Sequence, residues 1–117
     1  MSKPRDDRLY LADIVAACDS IAQFIAGMNE KQFVSNELVR SAVLQKLTII
    51  GEAASNITQS VRDIYPDIPW TRIRGLRNIV VHYYFGVSWE LIWGDASQEV
   101  PQLKSKIANI LAAWPSE

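Results

Sequence analysis

The sequence predicts an all-α protein, an antiparallel bundle of four to five helices in one domain spanning residues 1–117. Three observations predict it. Apolar residues recur at steps of three and four along most of the chain, the period of an amphipathic helix. No stretch alternates apolar and polar residues as a half-buried strand does. The periodic stretches are separated only by short polar or Gly- and Pro-containing links, which suit antiparallel neighbours.

Residues 1–7 are polar and are expected to fray. Leu11, Ile14, Cys18, Ile21, Ile25 and Met28 then mark a first helix over about residues 8–28, with Gly27 and Asn29 supplying the terminating residue types. Asn29 to Gln32 read as a polar connection. Ser35 or Asn36 can cap a second helix, whose row Val39, Val43, Leu47, Ile50, Ala54, Ile57 and Val61 keeps the helical period. Gly51 interrupts this longest element, and a glycine there signals the close approach of another backbone. Glu52 beside it is read as an exposed or Arg-paired carboxylate rather than a catalytic one, although the same approach could bury it. Pro66 and Pro69 break the chain. A third helix follows over about residues 69–84, with Pro69 in its first turn, Asp67 or the Ile68 backbone near its cap, and Phe85-Gly86 closing it. Ser88 caps a fourth helix from Trp89, whose apolar row runs in one phase to Trp114. Pro101 cannot donate to the carbonyl of Ser97, so a kink or short break is expected there, with both halves facing the same core.

Composition removes several function classes. The chain has 117 residues, 49% hydrophobic and 21% charged, which suits a folded globular domain and not a disordered one. No apolar run approaches the roughly 18 residues of a membrane span, and the N-terminus is too charged for a signal peptide, so a cytoplasmic location is expected. The single Cys18 allows no internal disulfide and is read as packing. A net charge of −1 and a pI near 5.8 argue against coating nucleic acid by charge alone. The distribution is less even. No acid lies between Asp67 and Glu90, while Arg72, Arg74 and Arg77 fall close together. That is either a phosphate-binding patch or a helix face whose arginines pair with acids elsewhere.

The same stretch carries the only histidine, His82, five residues after Arg77 and two before Tyr84. Arginine offers a permanent planar cation that fits phosphate, and histidine gives and takes protons near neutrality. At about 100° per residue Ile73, Leu76, Ile79 and Val80 share one side of the third helix, while Arg74, Asn78 and His82 line the other. Arg77 leaves that helix about 140° from His82, too far for both to meet one phosphate unless the Arg reaches across or a second subunit completes the site. Attack of an RNA 2′-hydroxyl on its own phosphate needs a base, an acid and a cation. A two-fold dimer supplies two His82 and two Arg77 around one cleft. Residues 68–89 contain no carboxylate to hold magnesium, so no metal is expected in the site.

Arg77-Asn-Ile-Val-Val-His82-Tyr-Tyr84 resembles the Arg-[polar]-x-x-x-His-x-Tyr motif of the HepT-like HEPN toxins, small helical ribonucleases encoded beside a minimal nucleotidyltransferase antitoxin. Ile49-Ile-Gly-Glu-Ala53, Ile68-Pro-Trp70 and Val100-Pro-Gln-Leu103 are similar to further segments of that family, in the same order. The resemblance implies a HEPN-like homodimer that cleaves RNA without a metal or other cofactor. It implies Arg77 and His82, assisted by Asn78, as the catalytic residues; the basic patch adds Arg74 and Arg72 as candidate phosphate contacts. It also implies that the nucleotidyltransferase partner uses ATP to AMPylate Tyr84 and so silences the toxin. The competing expectation is a module that clasps the nucleotidyltransferase or a nucleotide and cuts nothing.

Overall fold

A computed structural model describes residues 6–84 and 88–114, the side chains of residues 82–84 lying outside that description. Every regular element among the described residues is helical. In chain order these are α1 (Asp7–Phe24), α2 (Glu30–Val34), α3 (Glu37–Ser55), α4 (Gln59–Ile64) and α5 (Trp70–Gly75), then a 3₁₀ turn (Leu76–Asn78) and α6 (Ile79–Tyr84). The chain ends in α7 (Trp89–Gly94), a π-helical turn (Asp95–Glu99) and α8 (Val100–Ala112). No helix among the described residues is long and apolar enough to cross a membrane.

The long helices α1, α3 and α8 hold the centre. Leu11, Ile14 and Ile21 of α1, Val43, Leu47 and Ile50 of α3, and Ile107 of α8 are fully buried. Each such side chain taken from water contributes about 1.5–3 kcal/mol, which ties the three helices into one core. Cys18 is buried in the same core, in the packing role expected of it. Along the last rod Ile92, Ala96, Val100, Leu103, Ile107 and Ile110 are all buried, so one apolar phase does continue through Pro101.

The first rod begins and ends earlier than its apolar row suggests. Asp6 caps α1 by accepting the Arg8 N–H at 2.9 Å, so Asp7 is already helical and not part of a frayed lead. Residues 1–5 lie outside the described residues. At the other end α1 stops at Phe24, and the chain unwinds to Gly27, whose φ of 75° is left-handed and suits glycine. The polar link after it is itself helical. Asn29 accepts the Gln32 N–H at 2.8 Å while Gln32 accepts the Asn29 N–H at 2.9 Å, a reciprocal capping box that starts α2. Of the two N-caps considered for α3 the structure uses Asn36, which accepts the Val39 N–H at 3.0 Å.

The second rod breaks where the apolar row gave no warning. Ser55 Oγ donates to the Gly51 carbonyl at 2.8 Å and Asn56 Nδ2 to the Glu52 carbonyl at 2.8 Å, competing with the backbone for the last turn of α3. The Asp7 carboxylate then accepts both the N–H and the hydroxyl of Thr58, at 2.9 and 2.8 Å, which starts α4 from a residue of α1. Ile57 and Val61 remain buried, so the row is apolar for the core and not for one continuous helix.

The third rod is also divided, by the 3₁₀ turn, and its first helix starts from Pro69 with no side-chain cap, so Asp67 does not serve as one. Trp70 Nε1 anchors α5 by donating to the Tyr65 carbonyl at 2.9 Å. The closure expected at Phe85-Gly86 lies outside the described residues. In the fourth rod Ser88 accepts the Leu91 N–H at 3.2 Å, as an N-cap should. The irregularity expected at Pro101 is the π turn immediately before it. There the Val100 N–H reaches back to the Asp95 carbonyl, and Ser97 Oγ donates to the Trp93 carbonyl at 2.7 Å.

Candidate active site on the 3₁₀ turn

Arg77 and Asn78 sit in the 3₁₀ turn, and both are exposed. Leu76 packs partly into the core and Ile79 is buried, so the turn is pinned on both sides of the two polar residues. Arg77 has no ion-pair partner among the described residues. Its guanidinium is thus the open cation of the arginine cluster. The backbone of His82 and Tyr84 continues from this turn on α6, and their side chains, with that of Tyr83, lie outside the described residues.

The 3₁₀ geometry changes the expected phase. A 3₁₀ turn advances about 120° per residue against 100° in an α-helix, so the separation of Arg77 from His82 widens from about 140° toward about 180°. The same overwinding corrects a placement on the apolar side: Val80 is 38% exposed and Val81 58%, whereas Ile73 and Ile79 are buried as expected.

The turn is seated on α3 at Gly51. A Cβ built on Gly51 would stand 2.1 Å from the Arg77 nitrogen, 2.7 Å from the Leu76 carbonyl carbon and 2.9 Å from the Arg77 Cα. This is the close backbone approach that the glycine signalled. Glu52 beside it is exposed, so the approach does not bury that carboxylate.

The other two arginines are placed differently. Arg72 donates to Asp95 at 2.8 Å and to Glu99 at 3.3 Å, across to the π turn. The phosphate contact expected of Arg72 therefore competes with two carboxylates already in place. For Arg72 this is the pairing with acids elsewhere that the charge distribution left open; sequence reading did not name the acids, although two of them four residues apart on a predicted helix are a visible signal. Burial raises the Asp95 carboxyl above its ordinary value, against the pull of Arg72. Beneath this ion pair lies a cavity of about 80 Å³ with an aliphatic floor that includes Leu47, Ile50 and Leu103. Arg74 is half-buried, and its Nε is shielded without a hydrogen-bond partner among the described residues.

Two remaining features bear on chemistry. Burial pushes the Cys18 thiol up to about 12, so it is no resting nucleophile. On the flank of α6, Ser41, Leu44, Gln45, Thr48 and Ile49 of α3 form a groove with Val80, and among the described residues no charged side chain lines it. Among the described residues no three His, Cys, Asp or Glu side chains gather as a metal site.

The comparisons with known proteins return named ribonucleases. A "Putative RNase" of Methanocaldococcus jannaschii is 36% identical over 107 residues, covering 92% of this chain and 97% of that one. A "Putative RNase" of Caldanaerobacter subterraneus subsp. tengcongensis is 33% identical over 104 residues, 89% of this chain and 93% of that one. A "Probable ribonuclease HepT" of Thermococcus cleftensis is 32% identical over 106 residues, 91% of this chain and 96% of that one. No solved structure matches the chain. The family model described as "Ribonuclease HepT-like" matches residues 14–110, which takes in α3, the 3₁₀ turn and α6 together, and on that match the chain belongs to the HepT-like ribonuclease family.

Proposed function

We propose that the protein is the toxin of a toxin–antitoxin pair, a metal-independent endoribonuclease whose site is completed by a second copy of the chain. The observation that carries this reading is the open Arg77 cation on a turn fixed against α3, inside the segment that matches the ribonuclease family. In the reaction His82 of one subunit takes the proton of an RNA 2′-hydroxyl. The oxygen attacks the adjacent phosphorus while Arg77 holds the charge gathering on the phosphate oxygens. The bond to the 5′-oxygen breaks, that oxygen takes a proton from the second His82, and the products end in a 2′,3′-cyclic phosphate and a 5′-hydroxyl. Asn78, exposed beside Arg77, hydrogen-bonds the same phosphate in this reading. The wide angle between Arg77 and His82 favours the dimer, and the uncharged groove beside α6 offers it a surface.

The natural antagonist in this reading is a small nucleotidyltransferase that uses ATP to attach AMP to Tyr84, at the last position of α6. Tyr84 follows Arg77 by seven residues, and a phosphate added there brings negative charge to the end of the cationic site. Co-expression with the neighbouring nucleotidyltransferase should add AMP to wild type and not to Tyr84→Phe, as read by intact mass.

The central test is cleavage of a single-stranded RNA in EDTA by wild type, Arg77→Ala and His82→Ala. Wild type should cut and leave cyclic phosphate ends, and each variant should lose roughly 10²-fold or more in rate with its helical circular dichroism unchanged. A requirement for magnesium, or 3′-hydroxyl products, overturns the mechanism. Binding of RNA or of the nucleotidyltransferase without any cleavage favours the passive module instead.

A further inference from the structure

Gly51 lies on α3, outside the Arg-x4-His-x-Tyr stretch, yet it is where the candidate site meets the rest of the molecule. Leu76 and Arg77 pass so close to it that a Cβ there would overlap main-chain atoms at 2.1, 2.7 and 2.9 Å. Backbone cannot rotate away as a flexible side chain does. Gly75 and Gly94, by contrast, have nothing within 4 Å of a built Cβ. Among the described glycines the steric requirement is therefore local to the point where α3 crosses the 3₁₀ turn. The two shortest distances fall on the peptide that joins Leu76 to Arg77, so any movement forced at Gly51 displaces Arg77 directly.

The geometry points to Gly51 as a positioning residue for the cleavage reaction: the notch it leaves in α3 seats the 3₁₀ turn and thereby fixes where the Arg77 guanidinium meets the RNA phosphate. This rests on the reading of Arg77 as the catalytic cation. Restoring ordinary contact at 3.4 Å requires the turn to move by about an ångström, a misplacement that costs an enzyme about 10²-fold in rate.

The experiment compares wild type, Gly51→Ala, Arg77→Ala and the control Gly94→Ala on an RNA carrying a single Rp or Sp phosphorothioate at the cleaved linkage. Arginine held against one non-bridging oxygen makes the enzyme discriminate between the two diastereomers. That ratio is independent of how much of a preparation is folded, so general destabilisation does not change it. Wild type and Gly94→Ala should discriminate, Arg77→Ala should not, and Gly51→Ala should lose about 10²-fold in rate together with most of the discrimination. A Gly51→Ala enzyme that keeps the wild-type ratio overturns the proposal while leaving Arg77 in its role. An Arg77→Ala enzyme with wild-type rate and ratio overturns the reading of Arg77 itself, whatever Gly51→Ala does. Should Gly51→Ala fail to fold, amide hydrogen exchange of wild type decides. Protection of residues 76–78 equal to that of residues 50–52 supports a seated turn, and faster local opening of the turn overturns it.

Discussion

Three arginines within one short stretch receive three fates, and burial and partners separate them. Arg77 stays open, Arg74 is half-buried, and Arg72 is occupied by Asp95 and Glu99. The Arg72 cluster gives a pH prediction. Burial raises the folded-state value of Asp95 above the ordinary 3.8, Glu99 adds to the shift, and Arg72 opposes both. An acid with a raised folded value holds its proton longer in the folded state, so stability falls as pH rises through the window between the ordinary and raised values. Above that window the loss persists. Asp95→Asn carries no such charge. Its urea midpoint, relative to wild type, should therefore rise from about pH 4 to about pH 7, and midpoints measured across that range check it. A relative midpoint that is flat or falls with pH refutes the assignment.

At the level of elements, the helices are bounded by side chains that reach back to the backbone as much as by prolines. Thr58 begins α4 without a cap of its own, and Asp7 of α1 satisfies both its N–H and its hydroxyl. Asp7→Ala removes a capping acceptor and the only tie of this kind seen between those two elements among the described residues. It should cost about 1 kcal/mol, within the range of lost N-caps, measurable by denaturant titration, and it should leave RNA cleavage unchanged because no residue of α4 belongs to the candidate site. Cleavage falling with stability intact would mean that α4 takes part in the site. The 3₁₀ and π turns show a second rule. Each interrupts the α-helical ladder of a rod, the first against Gly51 and the second ahead of Pro101, and each carries polar or charged residues: Arg77 and Asn78 in one, Asp95 and Glu99 in the other.

For the whole molecule the decisive question is assembly. Val80 and Val81 are 38% and 58% exposed on α6, beside the uncharged α3 groove, and two exposed valines on the helix that carries His82 suit a two-fold contact. Light scattering should give twice 13.2 kDa for wild type at low micromolar concentration. Val81→Asp buries a charge in that contact without touching the monomer core. It should weaken the dimer by roughly 30-fold or more, and cleavage should decline in step with dimer content. A wild-type monomer that cleaves RNA at full rate would remove the shared site.

The sequence by itself determined the helical class, the central row of α1, the unbroken phase of the last rod, and the meaning of Gly51, because each depends on periodicity or on a backbone constraint local to the residue. It also carried the motif Arg77, Asn78, His82 and Tyr84, and with it the family. Where the second rod breaks is partly local, since Ser55 and Asn56 bond carbonyls four residues back, but tertiary structure decided the start of α4, because Asp7 of α1 reaches Thr58 across 51 residues. It decided that Val80 turns outward, because overwinding against α3 resets the phase that a uniform wheel assumes. It decided, finally, which arginine stays free: charge along a chain is readable, but pairing is set by which acids the fold brings within reach, and here it brings Asp95 and Glu99 to Arg72 and none of the described acids to Arg77.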